Sequence, residues 1–571
     1  MRRANLTLED LTDDDSEVDL GSIRTASAFD TGRSRSSLSL SFDLPPSSPA
    51  ISLKSAFGSP SSPDLIRVLR PSALSRSQTL PRVPQTEIKP RRGSSGIEGL
   101  DVDDDVLAKI RRWILGVAIV DFDIDSGPVV NGIFPPLFLL PEESENIAFL
   151  SFPDSLQFDQ GSQNHSFRIR EHQLSISSEK RPAPIDGYIY GFSHFSQRRD
   201  PTSKRGYEQR SLVFLTHHPY PALFSSLSSI FGPLFSAHGL PMLETACYNI
   251  ATWSDPTPGA TVELGFLGSV LQVELPHCTD EQQLTECDPK SHILASSSPF
   301  FPPPVLLFEA SLSHLWSIWE CVVLCEPILI FGASPSQTSQ AIWWLRDLLR
   351  PIPTAGDIRP YFTIHDRDHS ALVNKLPPKS GLLLGVTNPF FERSCLHWPH
   401  ILSLGRRIPP NTATKNTSTV APGPSPGWKT KVHKRYISKD HALLKQLESA
   451  CRGTEQERMS ASWTLRRHFY SRSNELLIPL TRYLNTLIPT PSEVAGHQRN
   501  SHSGPLRLKP FNTSAFFASL KVHGSTLPFR STSKRKNFYE RWLKTPSFGL
   551  WLAQQEQIVQ GVLKQSLDTT S

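Results

Sequence analysis

Between residues 328 and 404 short branched-aliphatic runs alternate with helical patterns, and this alternation limits the fold more than any other feature. The runs ILIF (328–331), YFTI (361–364), LLLGV (382–386) and ILSL (401–404) each read as a buried strand. Helical patterns fill 336–349 and 390–397. Strands joined through helices form βαβ units, and these units favour a mainly parallel sheet with both faces covered. A helix over 312–325 and a hairpin of 262–267 with 270–275, turning at Gly268, extend the same region upstream. The result is an α/β lobe over 261–405.

The flanking regions have other patterns. From 106 to 260 strands come in succession: WILGVAIVDF (113–122), 129–134, 148–152, 167–170, 188–195 and 209–216, with a helix over 220–238. That order predicts an α+β lobe. From 440 to 571 the pattern is helical. Trp463, Phe469, Leu476, Leu480 and Leu484 mark one face of a helix over 458–487, and Pro479 should kink it. Further helices are expected over 514–522, 534–544 and 546–565. Residues 406–439 hold five prolines, eight Lys or Arg and no acid, and read as a mobile basic linker. The first hundred residues hold 20 Ser and 9 Pro, so 1–105 are expected to stay disordered for want of apolar surface to bury.

Charge divides the chain of 571 residues unevenly. Residues 1–405 carry 33 Lys and Arg against 45 Asp and Glu, a balance of −12. Residues 406–571 carry 26 against 9, a balance of +17. A basic final third calls for an anionic partner: a membrane surface, a nucleic acid or an acidic protein. The start lacks the apolar segment of a secretory signal. The longest apolar candidate, 321–333, is cut by Glu326-Pro327 and falls short of a membrane span. Seven scattered cysteines give no disulfide framework, so a soluble protein of the reducing cytoplasm is expected.

No phosphate-cradling Gly-Lys loop, GxSxG elbow, HExxH, kinase catalytic loop or GxGxxG occurs. Cys321 and Cys325 lie one turn apart in an apolar helix and read as core. The HDRDH motif (365–369) lacks a second ligand pair and reads as a surface loop. Neither a metal nor a cofactor is therefore expected, and the chemistry points to binding.

Longer motifs then appear in order: LSFPDS (150–155), YIYGFSHFSQRRDPTSKRGYEQRSLVFLTHHPY (188–220) and LETAC (243–247). They continue with CEP (325–327), ASPS (333–336), RPYFTIHD (359–366), GVTNPFF (385–391), HWPHI (397–401) and NFYERWLKTPSFGLW (537–551). This series, over about 110–555, resembles the DENN-domain family and, within it, the DENN-domain-containing protein 6 subfamily. The resemblance implies three parts. These are a longin-like upstream lobe (106–260), a central α/β DENN lobe (261–405) and, after the linker 406–439, a helical downstream DENN region (440–571). It also implies guanine nucleotide exchange on a Rab-family small GTPase in endosomal vesicle trafficking, with no cofactor and no nucleic acid. The protein would be cytoplasmic and recruited peripherally to endosomal membranes.

Family contacts on both lobes direct attention to the cleft between 106–260 and 261–405. Polar residues at the strand ends are the candidate GTPase contacts: Ser334, Ser336, Asp366, Thr387 and Asn388. Phe390, Phe391 and Trp398 are expected in the core. Lys429, Lys431, Lys434 and Arg435 are the candidate membrane contacts. Thr79, in RSQTLP (76–81), resembles a phosphorylation-dependent 14-3-3 docking site. Two other readings stay open. One is a non-catalytic Rab effector or scaffold in polarised secretion. The other is a GTPase-activating protein with an arginine finger at Arg198, Arg199 or Arg205.

Overall fold

The run 113–120 is apolar without a break because β1 (Gly116–Asp123) is covered on both faces up to Val120. β1 pairs antiparallel with β2 (Gly127–Phe134) and β5 (Tyr207–Thr216). With β4 (Tyr188–Arg199) and β3 (Gly161–Arg170) they form an antiparallel sheet of order β2-β1-β5-β4-β3. Successive side chains of a strand point to opposite faces. Accordingly Val117 and Ile119 join the core beneath the helices Pro221–His238 and Leu240–Ala251. Ala118 and Val120 join a second core with Ile147, Leu150 and Phe152. The computed structural model describes residues 96–97, 100–154, 160–171, 181–202, 206–278, 280–281, 284, 291–406, 423–490, 492–494 and 507–568. All fall in one compact unit. The expected disordered tail, apart from a few residues near its end, and Thr79 with its 14-3-3 motif lie outside these residues.

The stretch 148–152 is not a strand. Residues Pro141–Leu150 form a helix, with Pro141 in its first turn and Glu143 accepting from Leu140 N at 3.2 Å. A short apolar run buried on one side cannot by itself distinguish strand from buried helix, and the acidic first turn just upstream settles it here.

In the second lobe β6 (Thr261–Phe266) and β7 (Ser269–Glu274) form the expected hairpin. Both turn residues take positive φ, Leu267 at 47° and Gly268 at 82°. Asn249 Oδ1 accepts from Leu267 N at 2.8 Å and holds the strained residue. β8 (His292–Leu294) adds to β7. A second sheet has the order β10-β11-β9-β12-β13. Its strands are β9 (Ile328–Phe331), β10 (Ile358–Arg359), β11 (Leu383–Val386), β12 (His400–Ser403) and β13 (Gly427–Thr430). The pairings β10–β11, β11–β9 and β9–β12 are parallel, and β13 closes the edge antiparallel. The strand expected over 361–364 is displaced upstream to two residues, because the chain leaves the sheet after Arg359.

The linker reading fails over its second half. Residues 427–430 are β13, and the chain beyond it is bound to Glu320, which is fully buried on the Leu315–Val323 helix. The Glu320 carboxylate accepts from Ile437 N (2.7 Å), Tyr436 N (2.9 Å) and His433 Nε2 (2.7 Å). Burial raises the Glu320 pKa, and the His433 and backbone donors oppose it. The helical region follows as His441–Arg452, Glu455–Asn485, Thr513–His523, Thr532–Trp542 and Pro546–Asp568, with Pro479 inside the second. Among the described residues no helix is long and apolar enough to cross a membrane.

Candidate functional site

The parallel register of β9, β10 and β11 places their carboxyl ends on one edge, where Phe331 lies opposite Val386. Residues 332–336, 360–368 and 387–390 all leave the sheet from this edge. It is also where the central lobe meets the first lobe.

The seam is packed rather than open. Tyr361 is fully buried against the second core of the first lobe. Its hydroxyl accepts from Asp154 N at 2.6 Å and donates to Phe152 O at 3.2 Å. Burial raises the Tyr361 pKa far above the usual phenol range, and the nearby Asp154 adds to this. Asn388 Nδ2 donates to Asp154 Oδ2 at 3.0 Å, and Asn388 Oδ1 accepts from Phe390 N at 2.9 Å. Asp154 is raised by burial, with the Asn388 bond opposing. Arg367 N donates to Asn146 Oδ1 at 3.0 Å, and His365 stacks on Phe149 with ring centroids 4.2 Å apart. Trp343 Nε1 donates to Ser166 Oγ at 2.8 Å.

Arg359 organises the polar half of the seam. It is buried, donates to Arg168 O (3.3 Å) across the seam, and pairs with Asp357 (3.0 Å) and Asp368. Burial would lower its pKa, but the carboxylates of Asp357 and Asp366 outweigh this and raise it. Arg170 of the first lobe reaches the same two acids, Asp357 and Asp368, at 3.4 Å each.

The five expected GTPase contacts come together at this edge with unequal access. Asp366 is 4% exposed and Thr387 7%. Asp366 Oδ1 accepts from Asp368 N at 2.8 Å, and Thr387 sits beside the Tyr361 hydroxyl. Both are seam residues, so the expectation that they present surface is corrected. Ser334 caps the Pro335–Leu349 helix, its Oγ accepting from Gln337 N at 3.3 Å. Ser334, Ser336 and Asn388 are half-buried at the rim. Phe391 and Trp398 are core, as expected, but Phe390 is 50% exposed beside Asn388 and Ile364 is 36% exposed nearby in sequence to Asp366. These two apolar rim residues are the ones sequence reasoning missed. Two adjacent phenylalanines at the start of a five-residue helix cannot both face one core, which was the available signal.

Of the basic residues, Lys431 and Lys434 are exposed and Lys429 is half-buried in β13. Arg435 is 4% exposed, with Nε donating to Ile437 O at 3.1 Å, and cannot meet a lipid surface. Arg198 and Arg199 lie at the far end of β4 from the seam pair Tyr188–Arg170, and Arg198 pairs with Glu208 at 3.7 Å. Arg205 lies outside the described residues. Cys321, Glu326 and His433 place three metal-ligand atoms within 4.8 Å of one another. Glu326 is already paired with His400 and Arg541, and His433 with Glu320, so buried ion pairs account for this group.

No family model matches the chain. Among curated proteins it is 30% identical to Protein DENND6B of Homo sapiens over 486 residues, covering 79% of this chain and 80% of that one. It is 31% identical to Protein DENND6A of Mus musculus over 470 residues, covering 77% and 76%. It is 29% identical to the DENND6 homolog of Dictyostelium discoideum over 525 residues, covering 78% and 71%. With likeness at this level over more than three quarters of its length, the chain belongs to the DENND6 subfamily of DENN-domain proteins.

Proposed function

We propose that this protein is a guanine nucleotide exchange factor for a Rab-family small GTPase, acting in endosomal vesicle trafficking. DENN proteins are in general Rab partners, and membership of that family underlies the reading. We read 106–260 as the longin-like upstream lobe, 261–405 as the central DENN lobe and 440–571 as the downstream region. The observation that carries the site is the rim at the strand ends: half-buried Ser334, Ser336 and Asn388 next to exposed Phe390 and Ile364. A rim that mixes apolar side chains with hydrogen-bonding groups suits a protein partner better than a small anion.

Exchange makes and breaks no covalent bond. The factor binds the nucleotide-free GTPase more tightly than the loaded one, so by linkage nucleotide leaves the complex more readily. The switch segments, ordered by phosphate and Mg²⁺ in the loaded state, are the elements to grip. The test is release of fluorescent GDP from a panel of Rabs by the full chain. Acceleration for at least one Rab is expected. Binding confined to GTP-loaded Rab, with no acceleration across the panel, would replace exchange by the effector reading. The arginine-finger reading is the weaker one, since Arg198 is ion-paired at the far end of β4.

A further inference from the structure

A cavity of about 310 Å³ lies where β3, the Pro221–His238 and Pro335–Leu349 helices, the segment 292–301 and Trp463 converge. That volume is at the lower end for small-molecule pockets. One wall is the segment SSSPFFP (296–302), and it is held rigidly. Arg350 Nη2 donates to Ser296 O (2.8 Å), and Ser298 N donates to Asp347 Oδ2 (2.8 Å). Gln340 Nε2 donates to Pro299 O (3.0 Å) and Pro302 O (2.7 Å), and Trp344 Nε1 to Pro299 O (3.1 Å). Arg466 fixes the frame from behind, pairing with Asp347 at 2.8 Å and lying 4.5 Å from the Phe300 ring centroid.

Four lining side chains more than nine-tenths buried keep polar atoms without a protein partner: His165 Nδ1, Ser297 Oγ, Ser298 Oγ and Gln340 Oε1. His165 Nε2 donates to Leu150 O at 2.8 Å, so its Nδ1 offers only a lone pair. Both amide hydrogens of Gln340 are committed to the two proline carbonyls, so Oε1 has only lone pairs to offer. Ser226 Oγ and Ser339 Oγ have donated to Ala222 O (2.9 Å) and Ser336 O (3.2 Å), and they too present acceptors. No Lys, Arg, Asp or Glu lines the cavity; of its two histidines, burial keeps His165 neutral and His292 is paired with Glu274 at 3.2 Å, while Phe300, Trp343 and Trp463 give aromatic walls. The Ser297 and Ser298 hydroxyls can donate as well as accept, but the other unpaired atoms only accept, so lone pairs outnumber free hydrogens. With no unpaired cation the wall disfavours an anion, and with no lining carboxylate it gives a cation no counter-charge. What it suits is a neutral flat ring with hydrogens to donate.

We propose that this cavity is a binding site for an uncharged aromatic ring carrying an O–H or N–H donor, of the phenol or indole type. The cavity shares Ser336 with the proposed rim, but the proposal rests on its inner wall and stands without the exchange reading.

The test is ¹⁹F NMR of the full chain with 4-fluorophenol, fluorobenzene and 4-fluorobenzoate. Saturable binding of 4-fluorophenol is expected. Fluorobenzene should bind at least about tenfold more weakly, because it leaves the buried acceptors unpaired, and 4-fluorobenzoate should not bind. Ser226→Phe, which fills the void from a half-buried helix position, should abolish 4-fluorophenol binding. If that variant fails to fold, the ranking of the three probes on the unaltered protein decides. Displacement of 4-fluorophenol by N-acetyltyrosinamide assigns the ring to a partner's polypeptide, and resistance assigns it to a free molecule. No saturable binding, equal binding of fluorobenzene, or preference for the benzoate would overturn the proposal and leave the cavity to water.

Discussion

Asp366 carries the clearest pH signature at the seam. Burial raises its pKa to about 6, against the opposing pull of Arg359. The folded value lies above the unfolded one, so the folded state binds more protons between the ordinary aspartate value of 3.8 and about 6. Stability from this group is therefore complete below pH 3.8 and is lost as pH rises through about 6. Asp366→Asn should flatten that part of the stability curve, as urea titrations from pH 4 to 7 would show; an unchanged slope would contradict the assignment. Tyr361 is the second residue-scale test. Tyr361→Phe leaves Asp154 N and Phe152 O without the hydroxyl that joins the lobes. Denaturant unfolding should show a loss of about 1–3 kcal/mol, the cost of unpaired buried groups. Phe390→Ala is the converse case. The side chain is half exposed, so stability should change by about 0.5 kcal/mol or less. GTPase binding measured by titration should weaken about tenfold if this is a rim contact.

At the scale of elements, the segment after β13 is anchored by the Glu320 carboxylate on one side and by a bridge from Ile437 to Phe529 on the other. Glu320→Leu would strip the partner from Tyr436 N, Ile437 N and His433 together. Each unpaired buried donor costs about 1–3 kcal/mol, so a drop of at least about 3 kcal/mol is expected in denaturant unfolding. A smaller drop would mean that the pairing of Ile437 with Phe529, not Glu320, carries the segment. This element also shows where sequence reading stops. The hairpin at Gly268 was legible because its turn chemistry and its alternating strands are local. The lysine-rich stretch looked like a linker because the acid that fixes it stands 116 residues upstream, inside an apolar helix. Composition shows the missing acids of a segment but not a distant one that reaches it. Likewise the motif residues at the strand ends were found, while their burial was not. Burial of Asp366 and Thr387 depends on how the first lobe closes over them.

For the whole molecule, the packed seam fixes one arrangement of the two lobes, and the rim at its edge is the surface proposed to meet a partner. The basic surface is narrower than the charge count implied. Lys431 and Lys434 are exposed, whereas Arg435 is buried. An exposed basic residue near an anionic leaflet contributes about 1 kcal/mol. The double variant Lys431→Gln, Lys434→Gln should therefore weaken salt-sensitive binding to phosphatidylserine vesicles without altering stability. Arg435→Gln should lower stability instead, and vesicle cosedimentation beside thermal melting separates the two. The central claim is tested most directly by fluorescent GDP release from a complete Rab panel with the full chain. Accelerated release from at least one Rab, reduced by Phe390→Ala while the fold stays intact, is the predicted result. Release unchanged across every Rab by a folded protein would contradict it.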